Sequence, residues 1–172
     1  MECIETIKGR RSVRRFKAQP VGKEMIEELL DAARMAPSAG NLQARDFIVI
    51  SNKTTKQKLK EAALGQSFIE QAPIVIVAVA NIERSSRVYK TRGELYAIQD
   101  ATAGVENILL SACSLGLAAC WVGAFDENAV NELLGIPPKT KPIAIIPVGY
   151  ADEEPVAPPR MGIDKVVHWE TW

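Results

Sequence analysis

The sequence has 172 residues, 47% of them hydrophobic, and its 21 basic side chains balance 21 acidic ones. This length predicts a single domain, 1–172, with a sizeable core, and the apolar content is too high for a disordered chain. The even charge balance argues against bulk electrostatic binding to nucleic acid or to an anionic membrane.

Hydrophobic periodicity and turn residues predict helices that alternate with strands along the chain. The longest predicted helix, 93–116, is apolar almost all round, which is typical of a helix buried in a core or in a subunit interface. Asp126 is expected to cap the last helix and Gly135 to end it. In chain order the predicted elements are helices 2–9 and 22–37, strand 46–51, helix 53–64, strand 73–80, helix 93–116, strand 118–125, helix 126–135 and strand 142–150.

The chain closes with a proline-rich tail, "ADEEPVAPPRMGIDKVVHWETW". Two tryptophans, Trp169 and Trp172, follow the adjacent valines Val166 and Val167. Large aromatic side chains gain most by burial, so we expect the tail to dock on the body of the protein or on a second subunit.

Three cysteines, Cys3, Cys113 and Cys120, form no C-x-x-C pair, and their number is odd. Secreted disulfide scaffolds usually have an even set, so reduced thiols and a cytoplasmic location are expected. The N-terminus lacks the apolar core of a signal peptide, and the longest apolar run, 72–80, is too short to span a bilayer.

Most motifs that carry protein-based chemistry are absent from the sequence. There is no phosphate-binding G-x-x-x-x-G-K-[ST] loop and no G-x-G-x-x-G after a strand. The one histidine, His168, lies in the tail, so neither a metal site nor a catalytic triad is expected, and no side chain is assigned as a catalytic residue. If the protein is an enzyme, a bound cofactor is expected to supply the chemistry.

Two short stretches remain as candidate sites. The opening "KGRRSVRRF", residues 8–16, gathers five cationic side chains. Read as an extended chain, it directs Arg10, Ser12 and Arg14 to one side and Arg11 to the other, which suits bidentate binding of a phosphate. A solvated basic segment without a ligand explains this composition about equally well.

The second stretch is "APSAGNLQARDF", residues 36–47, between a helix and a strand. It is a loop of short polar residues in which the amides of Asn41 and Gln43 can both donate and accept hydrogen bonds, as the edge of a heteroaromatic ring requires. An ordinary connecting loop is the alternative.

Together these stretches resemble the nitroreductase family of FMN-dependent oxidoreductases. "RRSVRRF" is similar to the family's R-x-S-x-R-x-F opening, and "APSAGNLQ" to its A-P-S-x-x-N-x-Q loop. "AIQDATAGVENILLSACSLGLAACWVGAF" resembles the central helix and the strand after it, and "PIAIIPVGYADEEP" the terminal strand. Arg160 followed by "VVHWETW" resembles the closing segment. The resemblance covers nearly the whole chain in the family's order.

The resemblance implies an α+β fold with a mainly antiparallel central sheet flanked by helices, in an intertwined homodimer that holds FMN at its interface. Arg10, Ser12 and Arg160 match positions that hold the FMN phosphate, and Arg14 matches a cation near the pyrimidine side of the ring. Gly123 and Ala124 match backbone beside the reactive face. The other implied cofactor-binding residues are Arg11, Pro37, Ser38, Ala39, Asn41, Gln43 and Gln66, with residues 37–41 reaching in from the partner subunit.

The chain also departs from the family pattern. Where members often continue the loop as Q-P-W, this chain has Gln43, Ala44 and Arg45, so Arg45 is expected to alter the cleft or its partner contacts. Arg45 and Tyr96 are candidate cleft residues. The terminal pattern P-V-G-Y-P ends in Ala151 here, and the segment 81–96 leaves little room for a long lid.

The function implied is an NADH- or NADPH-dependent FMN oxidoreductase of ping-pong type that reduces nitroaromatics, quinones or similar small acceptors. A flavin-binding carrier or sensor without turnover is the first alternative. A nucleic-acid-binding domain that uses the basic opening as an arm is the second, and the neutral net charge weighs against it. Neither nucleic acid nor membrane is therefore an expected partner.

Overall fold

The computed structural model describes residues 2–172, and these form seven α-helices and four strands. The helices are α1 (Cys3–Gly9), α2 (Lys23–Arg34), α3 (Lys53–Ala62), α4 (Phe68–Gln71), α5 (Ile82–Tyr89), α6 (Gly93–Ser114) and α7 (Glu127–Leu134). The strands are β1 (Arg45–Ile50), β2 (Ile74–Ala80), β3 (Ala118–Ala119) and β4 (Lys141–Gly149).

The strands form one sheet in the order β1-β2-β4-β3, and each neighbouring pair is antiparallel. β2 pairs with β1 from Val75 to Ala80 and with β4 from Ile74 to Ala80, with one shift of register after Ala78 in the second pairing. The predicted α+β architecture with a mainly antiparallel sheet is therefore confirmed.

Helices cover both faces of the sheet, which explains why β2 is an unbroken apolar run with all seven residues buried. Successive side chains of a strand point to opposite faces, so alternate residues of β2 enter two different clusters. One cluster contains Val75, Val77, Leu59, Ile69, Val130 and Ile145. The other contains Ile74, Ile76, Leu29, Ala33, Val105, Ile108, Ile146 and Val148.

The predicted strand 118–125 is much shorter in the structure, where β3 contains only Ala118 and Ala119. Pro147 explains the break. Its carbonyl accepts a hydrogen bond from the Cys120 N–H at 3.3 Å, so its nitrogen faces the same neighbour, yet proline has no N–H to donate in return. Pairing resumes only as an isolated bridge between Val122 and Ile145.

Most of the other predicted elements are confirmed with small shifts of their ends. Asp126 caps α7 as expected, because its side chain accepts from the backbone N–H of Asn128 and Ala129, and Gly135 ends the helix in the left-handed conformation. Helices α4 and α5 were not predicted, although Asn81 is a visible cap for α5 and accepts from the Arg84 N–H.

The tail beyond residue 155 lies on the outside of the protein. Trp169 is 84% exposed and Trp172 is fully exposed, and Trp172 stacks only on His168. Docking of the tryptophans on the body of the same chain, one of the two expectations, is therefore wrong. No helix within residues 2–172 is both long and apolar enough to cross a bilayer.

Candidate functional site

The basic opening is held in an extended form by two buried anchors and by backbone pairing. Val13 and Phe16 are buried, which fixes the direction of the residues between them. The Val13 N–H donates to the Ala119 carbonyl at 3.1 Å, and the Lys17 N–H donates to the Tyr150 carbonyl at 2.9 Å. The stretch is thus ordered by the edge of the sheet and is not a free arm.

The predicted phosphate-binding residues line one cavity of about 340 Å³. We refer to it as the cationic cavity. Its charged lining is entirely basic, and the polar lining residues are Arg10, Arg11, Ser12, Arg14 and Arg160. Pro155, Val156 and Pro158 of the tail form the rest of the wall.

Arg11 lies on this cavity as well, although strict alternation placed it on the opposite side of the stretch. It is the second residue after α1, which ends at Gly9. Its guanidinium turns back and donates to the Lys8 carbonyl at 2.7 Å and to the Arg10 carbonyl at 2.8 Å. Alternation fails here because the first residues after a helix do not yet follow a strand.

Two carboxylates stand behind the cationic cavity, and neither lines it. The Glu106 carboxylate of α6 lies 4.0 Å from the Arg10 guanidinium, and the Glu153 carboxylate accepts the Arg14 backbone N–H. Burial raises the pKa of the Cys120 thiol, which lies next to the basic opening. The charge of Arg14, a hydrogen bond from the Ser12 side chain and the charge of Arg10 each lower this pKa, but burial is the largest effect. The thiol therefore stays neutral at pH 7.

The second predicted site, the loop 36–44, has an unusual backbone. Gly40, Asn41 and Gln43 all have a positive φ, between 51° and 56°. Glycine adopts this conformation freely and asparagine tolerates it, but it is costly for glutamine. The Ser38 hydroxyl helps to hold the loop by accepting from the Gln43 N–H at 3.0 Å.

Asp100 of α6 fixes both sides of this loop. Its residue is only 4% exposed, and its two carboxylate oxygens accept the backbone N–H of Ala39 at 2.9 Å and of Ala44 at 3.2 Å. The sequence analysis missed this residue. Its helical spacing from Ala97 and Gly104 on the buried face of α6 is the signal that could have found it, because a buried carboxylate requires partners.

Arg45, predicted as a cleft residue, instead has its guanidinium inside the protein. The residue is 6% exposed, and its side chain donates to the carbonyls of Arg34, Ala36, Pro37 and Asp100. Burial lowers the pKa of Arg45, and the nearby Asp100 charge opposes that shift. The expectation of a cleft role for Arg45 is therefore wrong. The residue supports the loop from behind.

Tyr96 lies in a half-buried aromatic group next to the same loop. Arg92 Nε donates to the Tyr96 hydroxyl at 2.8 Å, and the Tyr89 and Tyr96 rings meet edge to face at 4.8 Å. The Tyr89 hydroxyl contacts Gly40 so closely that a Cβ there would lie 2.5 Å from it. Sequence reasoning missed Tyr89 and Arg92. They lie at the end of α5 and in the connection to α6, so no spacing along one helix brings the three residues together.

The structure brings the predicted residues Gln66 and Ala124 together, and it keeps loop 36–44 apart from the cationic cavity of the same chain. Gln66 Nε2 donates to the Ala124 carbonyl at 3.2 Å, beside the exposed Gly123. The residues of loop 36–44, which include Pro37, Ser38, Ala39, Asn41 and Gln43, do not line the cationic cavity of their own chain.

This combination of an antiparallel α+β sheet, a cation-lined cavity and an amide-bearing loop agrees with the comparison to known proteins. The Nitroreductase family model matches residues 7–68 and 60–150. The chain belongs to the nitroreductase family. An NADH dehydrogenase of Thermus thermophilus is 33% identical over 188 residues, which include 93% of this chain and 92% of the relative.

Solved structures agree in fold over nearly the whole chain. An FMN-dependent nitroreductase from Clostridium difficile R20291 superposes with a TM-score of 0.84 at 31% identity. The superposition includes 98% of this chain and 99% of the Clostridium difficile chain. The NADPH:FMN oxidoreductase from Vibrio harveyi, solved in complex with NAD+, superposes with a TM-score of 0.92 at 27% identity. The superposition includes 99% of this chain and 77% of the Vibrio harveyi chain.

Proposed function

We propose that residues 1–172 form one FMN-binding domain of an oxidoreductase that takes electrons from NADH or NADPH and passes them to a small acceptor. Nitroaromatics, quinones and similar compounds are the acceptors proposed, with a ping-pong order of binding. The single observation that carries the proposal is the cationic cavity, and the redox enzymes among the relatives support it.

The residues present fit the phosphate group of FMN. Four guanidinium groups and one hydroxyl converge on the cavity, and guanidinium forks match phosphate oxygens in geometry and charge. The chain supplies this site from two distant segments, 10–14 and Arg160, so the tail must be in place for the cavity to be complete. In this proposal Arg10, Arg11, Ser12 and Arg160 hold the phosphate, and Arg14 lies toward the ring.

When bound, the flavin supplies the hydride and electron transfer, and the chain's own residues orient it and its reactants. Gly123 and Ala124 present exposed backbone for the reactive face, supported by the hydrogen bond from Gln66. Loop 36–44 offers the side chains of Asn41 and Gln43, both exposed. No side chain is proposed as a general acid or base.

The proposed assembly is a homodimer with a cofactor at each end of its interface. Loop 36–44 and the cationic cavity are separate in one chain, which supports a site built from two. The tail carries Met161, Ile163, Val166 and both tryptophans exposed, an apolar surface that a second subunit would cover.

The test is anaerobic reduction of the purified protein. Flavin absorbance should be present, bleach on addition of NADH or NADPH, and return when a nitroaromatic or a quinone is added. Initial rates at several acceptor concentrations should give parallel double-reciprocal lines. A bound flavin that neither nicotinamide reduces would overturn the enzymatic proposal and favour a carrier or sensor, and a protein that binds no flavin would overturn both.

A further inference from the structure

Three side chains beside loop 36–44 form a surface that the proposed cofactor site does not use. They are Tyr89 at the end of α5, Arg92 in the connection to α6, and Tyr96 near the start of α6. We refer to them as the tyrosine–arginine corner. Both tyrosines are half-buried and Arg92 is exposed. Because the Tyr89 hydroxyl contacts Gly40, the corner lies directly against the loop that carries the candidate amides.

The Arg92 guanidinium is held in place and is largely free to bind a ligand. Its Nε donates to the Tyr96 hydroxyl at 2.8 Å, and its Cζ lies 5.1 Å from the centre of the Tyr96 ring. A guanidinium group carries five N–H donors, so four remain on the two terminal nitrogens. Within residues 2–172, those two nitrogens donate to no protein acceptor and Arg92 joins no ion pair. Arg87, five residues earlier, instead pairs with Glu83 at 3.3 Å.

The corner combines this guanidinium fork with an aromatic surface. The Tyr89 and Tyr96 rings meet edge to face at 4.8 Å, which fixes both rings relative to each other. Lys90 adds a second cation in the same connection and Glu94 adds one acid, so the corner keeps a net positive charge. Aromatic rings pack favourably on other rings, and a free guanidinium fork binds two oxygens of a carboxylate or sulfonate.

We propose that the tyrosine–arginine corner is an acceptor subsite that favours aromatic acceptors bearing an acidic group, such as nitrobenzoates and naphthoquinone sulfonates. This inference rests on the proposed function, in which loop 36–44 and the corner beside it face the flavin bound by the partner subunit. The tyrosine rings contact the ring of the acceptor, and Arg92 binds its acidic group. Arg92 is therefore a specificity-determining residue and takes no part in electron transfer.

The test compares 4-nitrobenzoate with 4-nitrobenzamide, which share the ring and the nitro group and differ by one negative charge at pH 7. The measured quantity is the ratio of kcat/KM for the acid to that for the amide. Arg92→Ala should lower this ratio about three- to tenfold, mainly through a higher KM for the acid, since the charge-assisted contact does not change during the reaction. Arg92→Lys keeps the charge without the fork and should lower the ratio less. Arg87→Ala removes the same charge from an exposed arginine nearby and should leave the ratio unchanged.

Dissociation constants for the oxidised, FMN-loaded protein provide a second readout that needs no turnover. Perturbation of the flavin absorbance measures them for both compounds, and Arg92→Ala should weaken binding of the acid alone. Ratios of kcat/KM and of dissociation constants that Arg92→Ala leaves unchanged, or that Arg87→Ala lowers equally, would overturn the subsite and leave the proposed function intact. A wild-type protein that binds no flavin, or whose flavin neither NADH nor NADPH reduces, would overturn the proposed function, and the subsite with it.

The phosphates of the reductant are the other possible source of an anion at Arg92. The KM values of NADH and NADPH are therefore measured for the same variants, with 4-nitrobenzamide as the acceptor. We expect Arg92→Ala to leave both values within about twofold of wild type. If it raises either value further while the acid-to-amide ratio stays constant, Arg92 binds the nicotinamide nucleotide, and the assignment to the acceptor fails.

Discussion

The Arg45 guanidinium and the Asp100 carboxylate are both withdrawn from water, and both are used to hold backbone. Asp100 accepts two N–H groups of loop 36–44, and Arg45 donates to four carbonyls around it. Buried charges are costly unless neighbouring groups compensate them, and here four of the six compensating backbone groups belong to the loop that carries the candidate amides. The shape of the loop and the stability of the protein are therefore linked at these two residues.

Replacing Arg45 by lysine tests this link. Lysine keeps the charge but cannot reach four carbonyls with one ammonium group, so some of them lose their partner. We expect Arg45→Lys to lower the free energy of unfolding by about 1–3 kcal/mol, measured by urea denaturation of the flavin-free protein. Arg15→Lys, at an exposed arginine beside Asp152, should stay within about 0.5 kcal/mol of wild type. Equal stability of both variants would contradict the role of Arg45.

The phosphate assignment makes a prediction about two other arginines. Arg10→Ala and Arg160→Ala should each cost about 1.5–3 kcal/mol of FMN binding, which is roughly tenfold to 150-fold in dissociation constant. Riboflavin, which lacks the phosphate, should bind wild type and both variants almost equally. Fluorescence titration measures all of these constants, and Arg15→Ala serves as the control. An Arg10 variant with wild-type affinity for FMN would remove this arginine from the site.

At the residue scale, the positions of the cavity-lining side chains could be predicted from the sequence, whereas the positions of the buried charged side chains could not. Arg10, Ser12, Arg14 and Arg160 lie together as the motif resemblance implied. The burial of Arg45 depends on the space left by α6, which no local pattern of residues 36–47 contains. Asp100 was overlooked for the same reason, since its partners are 56 and 61 positions away.

At the scale of elements, close contact between α6 and the strand β1 depends on a residue without a side chain. A Cβ on Gly104 would lie 2.9 Å from Phe47 Cζ, 3.2 Å from Arg45 Cδ and 3.3 Å from the Ala33 carbonyl. The ends of most helices and strands were predictable because periodicity and caps are local, although α4 and α5 were missed. The length of β3 was not, because it depends on a proline in the neighbouring strand.

Gly104→Ala should therefore destabilise the protein, although alanine is the better helix former by about 1 kcal/mol. Overpacking against Phe47 and Arg45 costs about 1–3 kcal/mol, and we expect that cost to prevail. Gly9→Ala is the comparison, because a Cβ at Gly9 meets nothing within 4 Å. Thermal unfolding should show a lower midpoint for Gly104→Ala and an equal or higher one for Gly9→Ala. A midpoint for Gly104→Ala at or above wild type would show that α6 can move away from β1.

At the scale of the whole molecule, the exposed tail and the separated loop are the two features on which the proposed homodimer rests. Each tryptophan could bury about 150–250 Å² on a partner, and together with the exposed apolar tail residues this is a substantial part of an interface. The proposed homodimer could not be derived from the sequence pattern of the tail alone, because that pattern does not specify which surface covers the tryptophans.

Truncation after Gly162 removes both tryptophans and leaves Arg160 in place. We expect weaker dimerisation and lower FMN occupancy together, measured as molar mass by light scattering and as the flavin-to-protein ratio during dilution. Trp172→Ala alone, which removes one of the two tryptophans, should give an intermediate loss. A truncated protein that stays dimeric and fully loaded with flavin would refute the contribution of the tail, and a wild-type monomer with stoichiometric FMN would refute a shared site.

The neutral thiol of Cys120 lies directly beneath the basic opening, so its rate of alkylation reports how often that segment detaches. Only thiolate reacts with alkylating reagents, so Cys120 can be modified only when residues 10–15 detach from β3 and let water in. Exposed Cys3 should label rapidly, whereas labelling of Cys120, followed by mass spectrometry, should be far slower and should slow further when FMN is added. If Cys120 labels as fast as Cys3, the opening detaches readily. If FMN leaves its rate unchanged, the flavin does not bind across this segment.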